Sequence, residues 1–388
     1  MTAGRARVVS ALGIGQTLAW ASSYYLAAIL AAPMAAAVGV TVPTVFAAFS
    51  AALLVSAAIG PLAGHAIDRW GGRPVLVATN LIFAIGLAML GLAETLVGLC
   101  AGWLVLGFGM GSGLYEAAFT TLVRLYGHDA RNAITGVTLF AGFASTIGWP
   151  LSAWLEAHYG WRDACFAWAG LHLLVGLPLN LSLPRAEPLT VGLAKPEGPV
   201  GDERRDTTRS AVLLAWVFAV TWFISTAMAA HLPRLMMAGG ATLATAVLVG
   251  ALVGPAQVAA RILEFSVLRR IHPLLSARLA TLMHPLGAVL LMILGTPLAV
   301  LFGLLHGAGN GILTIAKGTL PLAIFGTAGY GHRQGVLMVP ARIAQALAPW
   351  LFGLCLDRWG IGALWVSSAL AVTAFAALLR LRQPATRW

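Results

Sequence analysis

Charge is what this sequence has least of. Only 10% of its 388 residues are Asp, Glu, Lys or Arg, against about 25% in an ordinary soluble domain. A soluble fold so poor in charge would have to cover its surface with apolar side chains. A soluble enzyme is therefore excluded, and intrinsic disorder even more firmly. Cysteine is scarce as well. Cys100, Cys165 and Cys355 are the only three, and none lies in a CxxC or beside spaced histidines. That excludes a disulfide framework and a Cys/His metal site. No GxxxxGK[ST], HExxH or GxSxG occurs, so the nucleotide loop and the common hydrolase signatures are missing too.

What is present is apolar. Hydrophobic residues make up 59%, and the mean hydropathy is +0.87. The opening MTAGRAR runs straight into a stretch without charge from residue 8 to residue 67. This is long enough for two membrane crossings and too long for a cleaved signal peptide. Beyond it, charges punctuate the chain at about the ~20-residue interval that a membrane helix needs. The pattern predicts twelve helices, over 8–32, 43–63, 74–93, 97–123, 132–155, 163–183, 211–232, 241–267, 278–295, 298–325, 335–355 and 361–381. Backbone groups in lipid must find partners within their own segment, so the spans are helices. The ~10-residue alternation of a membrane barrel is absent. The expected fold class is an all-α integral membrane protein with twelve transmembrane helices.

The net charge of +11 would suit a nucleic-acid partner, but its distribution argues otherwise. With the N-terminus in the cytoplasm, eighteen of the 24 Lys and Arg residues fall on the inside, three outside and three within spans. This is the positive-inside bias of a membrane protein. It places both termini in the cytoplasm and removes the support for nucleic-acid binding. Residues 184–210 are polar and rich in Pro and Gly, and read as a cytoplasmic linker between six-helix bundles at 1–183 and 211–388. The halves echo each other. GMGSG at 109–113 returns as GAGNG at 307–311. Gly60-Pro61 matches Gly254-Pro255, and Pro150 matches Pro349. Such near-constant offsets point to a duplicated, pseudo-symmetric unit.

After the second span the chain reads Gly64-His65-Ala66-Ile67-Asp68-Arg69-Trp70-Gly71-Gly72-Arg73. This resembles the signature loop of the major facilitator superfamily, G-x-x-x-D-R-x-G-R-R. Gly64, Asp68, Arg69, Gly71 and Arg73 match, and Gly72 stands where a basic residue is usual. The resemblance implies a secondary transporter that works by alternating access around a central site. It also implies a cytoplasmic latch, in which Asp68 faces the positive N-terminal end of the eleventh span, near Gly335. Arg131 is a further expected partner of this gate. Glu264 with Arg269 and Arg270 is the expected weaker counterpart in the second half. The superfamily's antiporter signature in span five is only partly met, because Trp149 separates Gly148 from Pro150. The arginine that drug–proton antiporters carry in span four is missing from LVLGFGMGSG.

Ionisable residues inside spans are costly and mark cavities or partners. Here they are Glu116, Arg261, Glu264, Lys317 and Arg342. The resemblance assigns spans one, four, seven and ten to the cavity. On that basis Glu116 and Lys317 lie at one depth in opposite halves and form a breakable pair, with Glu116 as a candidate proton carrier. Arg261 and Glu264, three apart, read as an intrahelical pair. Gln16, Trp20 and Tyr24 form one stripe at i, i+4 and i+8. Tyr115, Trp222 and Asn310 join the expected substrate contacts, together with Lys317 and Arg342. The buried cations outnumber the acids, which favours an anion. The expected function is gradient-driven transport of a small organic solute, an anion by preference. The alternative is a proton-coupled exporter of drugs or of neutral or cationic metabolites. An intramembrane enzyme or a non-transporting sensor ranks lower. No cofactor is expected. The expected partners are a small-molecule substrate, the lipid of the plasma membrane and a coupling proton or ion, with the protein a monomer.

Overall fold

The computed structural model describes residues 3–185, 202–267 and 271–381. Arg269, Arg270 and most of the 184–210 linker lie outside the described residues. Among those described there are helices and no strand. In the first half these are α1 (Ala3–Ser22), α2 (Leu26–Val38), α3 (Val42–Trp70), α4 (Gly72–Leu92), α5 (Leu96–Gly113) and α6 (Tyr115–Tyr126). They continue with α7 (Arg131–Ala141), α8 (Ala144–Tyr159), α9 (Trp161–Leu171) and α10 (Leu177–Leu181). The second half holds α11 (Asp202–Ala238), α12 (Leu243–Ser266), α13 (Pro273–Leu294), α14 (Ala299–Phe325), α15 (Tyr330–Trp359) and α16 (Ala363–Arg380). Ten helical stretches are long and apolar enough to cross a membrane. Two of them, Leu96–Tyr159 with 64 residues and Tyr330–Arg380 with 51, hold two crossings each at ~20 residues per crossing. The total is twelve.

Several expected boundaries move, each for a local reason. Pro33 does not end the first span. The helix runs on to Val38 and stops at Gly39, a left-handed C-cap with φ of 73°, a conformation open to glycine. The second span continues seven residues past its expected end. Gly64 through Trp70 are therefore helical, and the turn that follows is Gly71 alone, at φ of 83°. Spans one, four and five are each interrupted, at 23–25, at Leu114 and at 142–143. Span six changes to a π-turn at His172–Gly176. The expected division at residue 183 also shifts. Of the two compact units, the first holds the described residues up to 185 together with Thr327–Val336. The second holds the remainder.

Both units are built on close glycine contacts. A Cβ placed on Gly107 or Gly111 of α5 would lie 2.5 and 2.9 Å from the carbonyl oxygens of Ala52 and Ser56 on α3. On the opposite face, Gly109 and Gly113 admit Phe83 and Thr79 of α4, at 2.8 and 2.3 Å from such a Cβ. In the second unit Gly307 and Gly311 of α14 meet Val253 O and Gln257 O of α12 at 2.6 and 2.5 Å, and Gly309 meets Ala280 O of α13 at 2.7 Å. Small residues at i and i+4 let helix backbones approach where lipid supplies no hydrophobic drive. The contacts match Gly107 with Gly307, not Gly109 with Gly307 as the motif spacing suggests. Function in packing, rather than motif spelling, sets the repeat register.

A buried polar network ties α1, α4 and the π-turn together. His172, 0% exposed, lies 2.9 Å from Asn80 Oδ1 through Nδ1 and 2.7 Å from Ser22 Oγ through Nε2. Asn80 Nδ2 already donates to Leu76 O, so its oxygen faces the histidine. His172 therefore donates from Nδ1, and Ser22 donates to the bare Nε2. Gly176 makes room for this network, since a Cβ there would sit 2.2 Å from Asn80 Oδ1. His172→Phe keeps the ring stack on Phe83 but strands Asn80 Oδ1 without its donor. We expect a loss of about 2 kcal/mol, seen as a melting midpoint lowered by roughly 4 °C in detergent. An unchanged midpoint would remove the network from the list of stabilising features.

Candidate functional site

Three constellations emerge, two in the first unit and one in the second. The first is where α3 meets the start of α15. Gly60 and Gly64 are one turn apart on α3, and Gly331 and Gly335 one turn apart on α15. A Cβ on Gly64 would fall 2.0 Å from Gly331 O, and one on Gly335 would fall 2.6 Å from Gly60 O. This approach brings Asp68 onto the helix N-terminus. Its Oδ1 accepts from Gly331 N at 3.0 Å and its Oδ2 from His332 N at 2.9 Å. These N–H groups are among the four that every helix leaves without internal partners, and the helix dipole adds to the attraction for a carboxylate. The contact sits at Gly331 and His332, one turn earlier than the expected start near Gly335, because α15 begins at Tyr330. Arg69 and Trp70 are exposed, with the guanidinium 5.6 Å from the indole. Gly71 forms the turn. Arg73, in the first turn of α4, and Arg131, at the start of α7, are half-buried. Glu264 is buried on α12, while Arg269 and Arg270 lie outside the described residues.

The second constellation is aromatic. Trp20 touches Tyr24, Tyr25 and Tyr115 with centroid separations of 5.3, 6.2 and 5.0 Å. Tyr24 packs on Phe49, Tyr25 on Trp149 and Tyr115 on Phe119. The expected uninterrupted helical stripe of Gln16, Trp20 and Tyr24 is not what builds this. Tyr24 lies in the break after Ser22, so helical phase is lost and the rings meet across a turn. Gln16 instead donates from Nε2 to Gly113 O at 2.6 Å, the last carbonyl of α5. It lines a cavity of about 10 Å³, the size of a single water site. Leu114 interrupts span four, which puts Glu116 in the first turn of α6. The carboxylate is thus at a favourable helix N-terminus rather than mid-helix.

The third constellation is cationic. Lys317 on α14 and Arg342 on α15 are 4% and 3% exposed. Lys317 Nζ lies 3.9 Å from the ring centroid of Trp222 on α11, and the Arg342 guanidinium carbon 5.3 Å from it. One indole thus carries two cations, an arrangement worth about 2 kcal/mol per desolvated contact at most. Asn310, half-buried, lies two turns before Lys317 on the same helix. Arg342 also donates from Nη1 to Gln345 Oε1 at 3.0 Å. Arg261 donates to Gln257 Oε1 at 3.3 Å, one turn back on α12. Three cations and one carboxylate are buried among the described residues of this unit. Sequence reasoning missed Gln345, Tyr25, Phe49 and the glycines of α15. Only the i, i+3 spacing of Gln345 from Arg342 gave any sign of it.

The sequence matches the Major Facilitator Superfamily over residues 12–305. The chain belongs to that family. A multidrug resistance protein B homologue of Mycobacterium tuberculosis is 32% identical over 131 residues, 34% of this chain and 23% of that one. Monocarboxylate transporter 4 of Rattus norvegicus is 28% identical over 144 residues, 36% of this chain and 30% of that one. The matched part thus spans less than a third of either relative's length. Among solved structures, the human organic anion transporter MFSD10 superposes with a TM-score of 0.73 at 17% identity, covering 96% of this chain and 99% of that one. The proton:xylose symporter XylE gives 0.78 at 13% identity, covering 97% and 95%. These likenesses fix the fold.

Proposed function

We propose that the chain is a secondary transporter of a small organic anion, driven by an ion or solute gradient. The observation that carries this reading is the indole of Trp222 with Lys317 at 3.9 Å and Arg342 at 5.3 Å, both cations buried. Buried cations in excess of buried acids are costly, and a bound anion offsets that cost. Two of the similar proteins carry anions by name, the human organic anion transporter and the rat monocarboxylate transporter. The arginine and lysine bias supports a plasma-membrane protein with the Asp68 end in the cytoplasm. In this reading the Asp68 contact holds one end of the protein in its closed arrangement, and its release accompanies turnover.

A second reading rests on the aromatic constellation. Trp20, Tyr24 and Tyr115 suit a planar apolar solute, and the mycobacterial relative is a multidrug resistance homologue. The test is a thermal-shift panel on purified protein, with lactate, succinate, benzoate and benzenesulfonate as anions, tetraphenylphosphonium as cation and xylitol as neutral solute. The anion reading expects stabilisation by anions alone. Stabilisation by tetraphenylphosphonium alone would transfer the assignment to the exporter.

A further inference from the structure

Gln345 is 0% exposed, and its amide can be oriented by chemistry alone. Arginine carries donors and no acceptor. The Gln345 atom that lies 3.0 Å from Arg342 Nη1 must therefore be the carbonyl oxygen. The amide nitrogen then faces the other way. Among the described residues, no acceptor reaches Gln345 Nε2. A fully buried donor without a partner is expensive, and native proteins keep few of them. This one stands beside a guanidinium whose charge already biases the site toward anions.

The rest of the cluster points the same way. Lysine and arginine supply donors only, and the one side-chain acceptor of Gln345 is taken by Arg342. Lys317, Arg342 and Gln345 together present N–H groups from three side chains, with the Trp222 indole as the apolar wall. A spherical anion can satisfy charge here but uses the extra donor poorly. A carboxylate brings two oxygens, so it can engage a cation and an amide N–H at once. We propose that Gln345 is a specificity-determining residue. Its Oε1 positions Arg342, and its Nε2 donates to an oxygen of an organic carboxylate. The substrate is then an oxyanion head group on an apolar body that packs against Trp222. This deepens the anion reading and rests on it.

The experiment titrates purified protein with benzoate and with iodide, and reads apparent affinity from the thermal shift. Wild type should favour benzoate over iodide. Gln345→Met, which keeps the volume and loses the amide, should weaken benzoate about tenfold, the worth of one hydrogen bond to a charged group. It should leave iodide within about twofold. Gln345→Glu keeps an acceptor for Arg342, removes the N–H and adds a negative charge, so it should weaken benzoate more than Gln345→Met does. Equal weakening of both anions, or of neither, would reduce Gln345 to packing and overturn the inference while leaving the anion reading intact. Equal affinity of wild type for iodide and benzoate would do the same, even if neither variant folds. If no anion stabilises wild type, the anion reading itself falls, and the inference falls with it.

Discussion

Lys317→Ala should abolish stabilisation by anions while the protein remains folded. Lys317 is buried on α14 with its ammonium over Trp222. Removing one partner of a buried charge contact costs about 2–5 kcal/mol, which lowers affinity at least ~30-fold. The fold should tolerate the change. Charge burial is unfavourable in the ligand-free protein, so the variant trades a lost cation–π contact against a lost desolvation penalty. Arg342→Ala should weaken anions as strongly, yet it also frees Gln345 Oε1 from its donor and so should lower the melting midpoint more. Full anion stabilisation in both variants would make the cations structural and end the anion reading. Loss confined to Arg342→Ala would move the site along α15 and away from α14.

Asp68→Asn should loosen the start of α15. Two N–H groups reach the carboxylate at 3.0 and 2.9 Å, and hydrogen bonds to a charged acceptor are worth about 1.5–3 kcal/mol each. Asparagine keeps one acceptor and turns an N–H₂ toward the second donor. A net loss of about 3 kcal/mol accelerates amide exchange roughly 100-fold. Hydrogen exchange across Thr327–Val336 measures it directly. Gly64→Ala should have a similar effect without any change of charge. Its new Cβ would fall 2.0 Å from Gly331 O, and a backbone carbonyl cannot swing aside as a side chain can. Unchanged exchange in both variants would show that this contact does not hold the helix start. Loosening in Asp68→Asn alone would assign the hold to charge rather than to close packing.

Much of this was legible in the chain before any coordinate. Apolar runs of about twenty residues follow from lipid thickness, and Asp68 is recognisable from its neighbours four before and five after. Lys317 and Arg342 stand out because charges in apolar runs are rare. Other parts were not legible. The stripe of Gln16, Trp20 and Tyr24 assumed an unbroken helix, and the break after Ser22 invalidates the phase while keeping two of the rings in contact. Glu116 read as mid-span, but the interruption at Leu114 makes it a first-turn residue. Nothing in the local sequence announces either break, because neither is a proline or a run of polar residues.

The sequence by itself determined the environment, the number of crossings, the duplication and the identity of the buried charges. All of these depend on composition and on spacing within one helix, where 3.6 residues per turn fixes what lies beside what. Tertiary structure alone decided which groups those charges meet. Trp222 lies more than ninety positions from Lys317, Gly64 far from Gly331, and Gly107 approaches Ala52 across two helices. Such pairs are chosen by how closely two backbones can approach. The orientation of Gln345 belongs to the same class. Its residue type permits either face of the amide toward a neighbour, and only the guanidinium brought against it settles which atom accepts and which is left to donate.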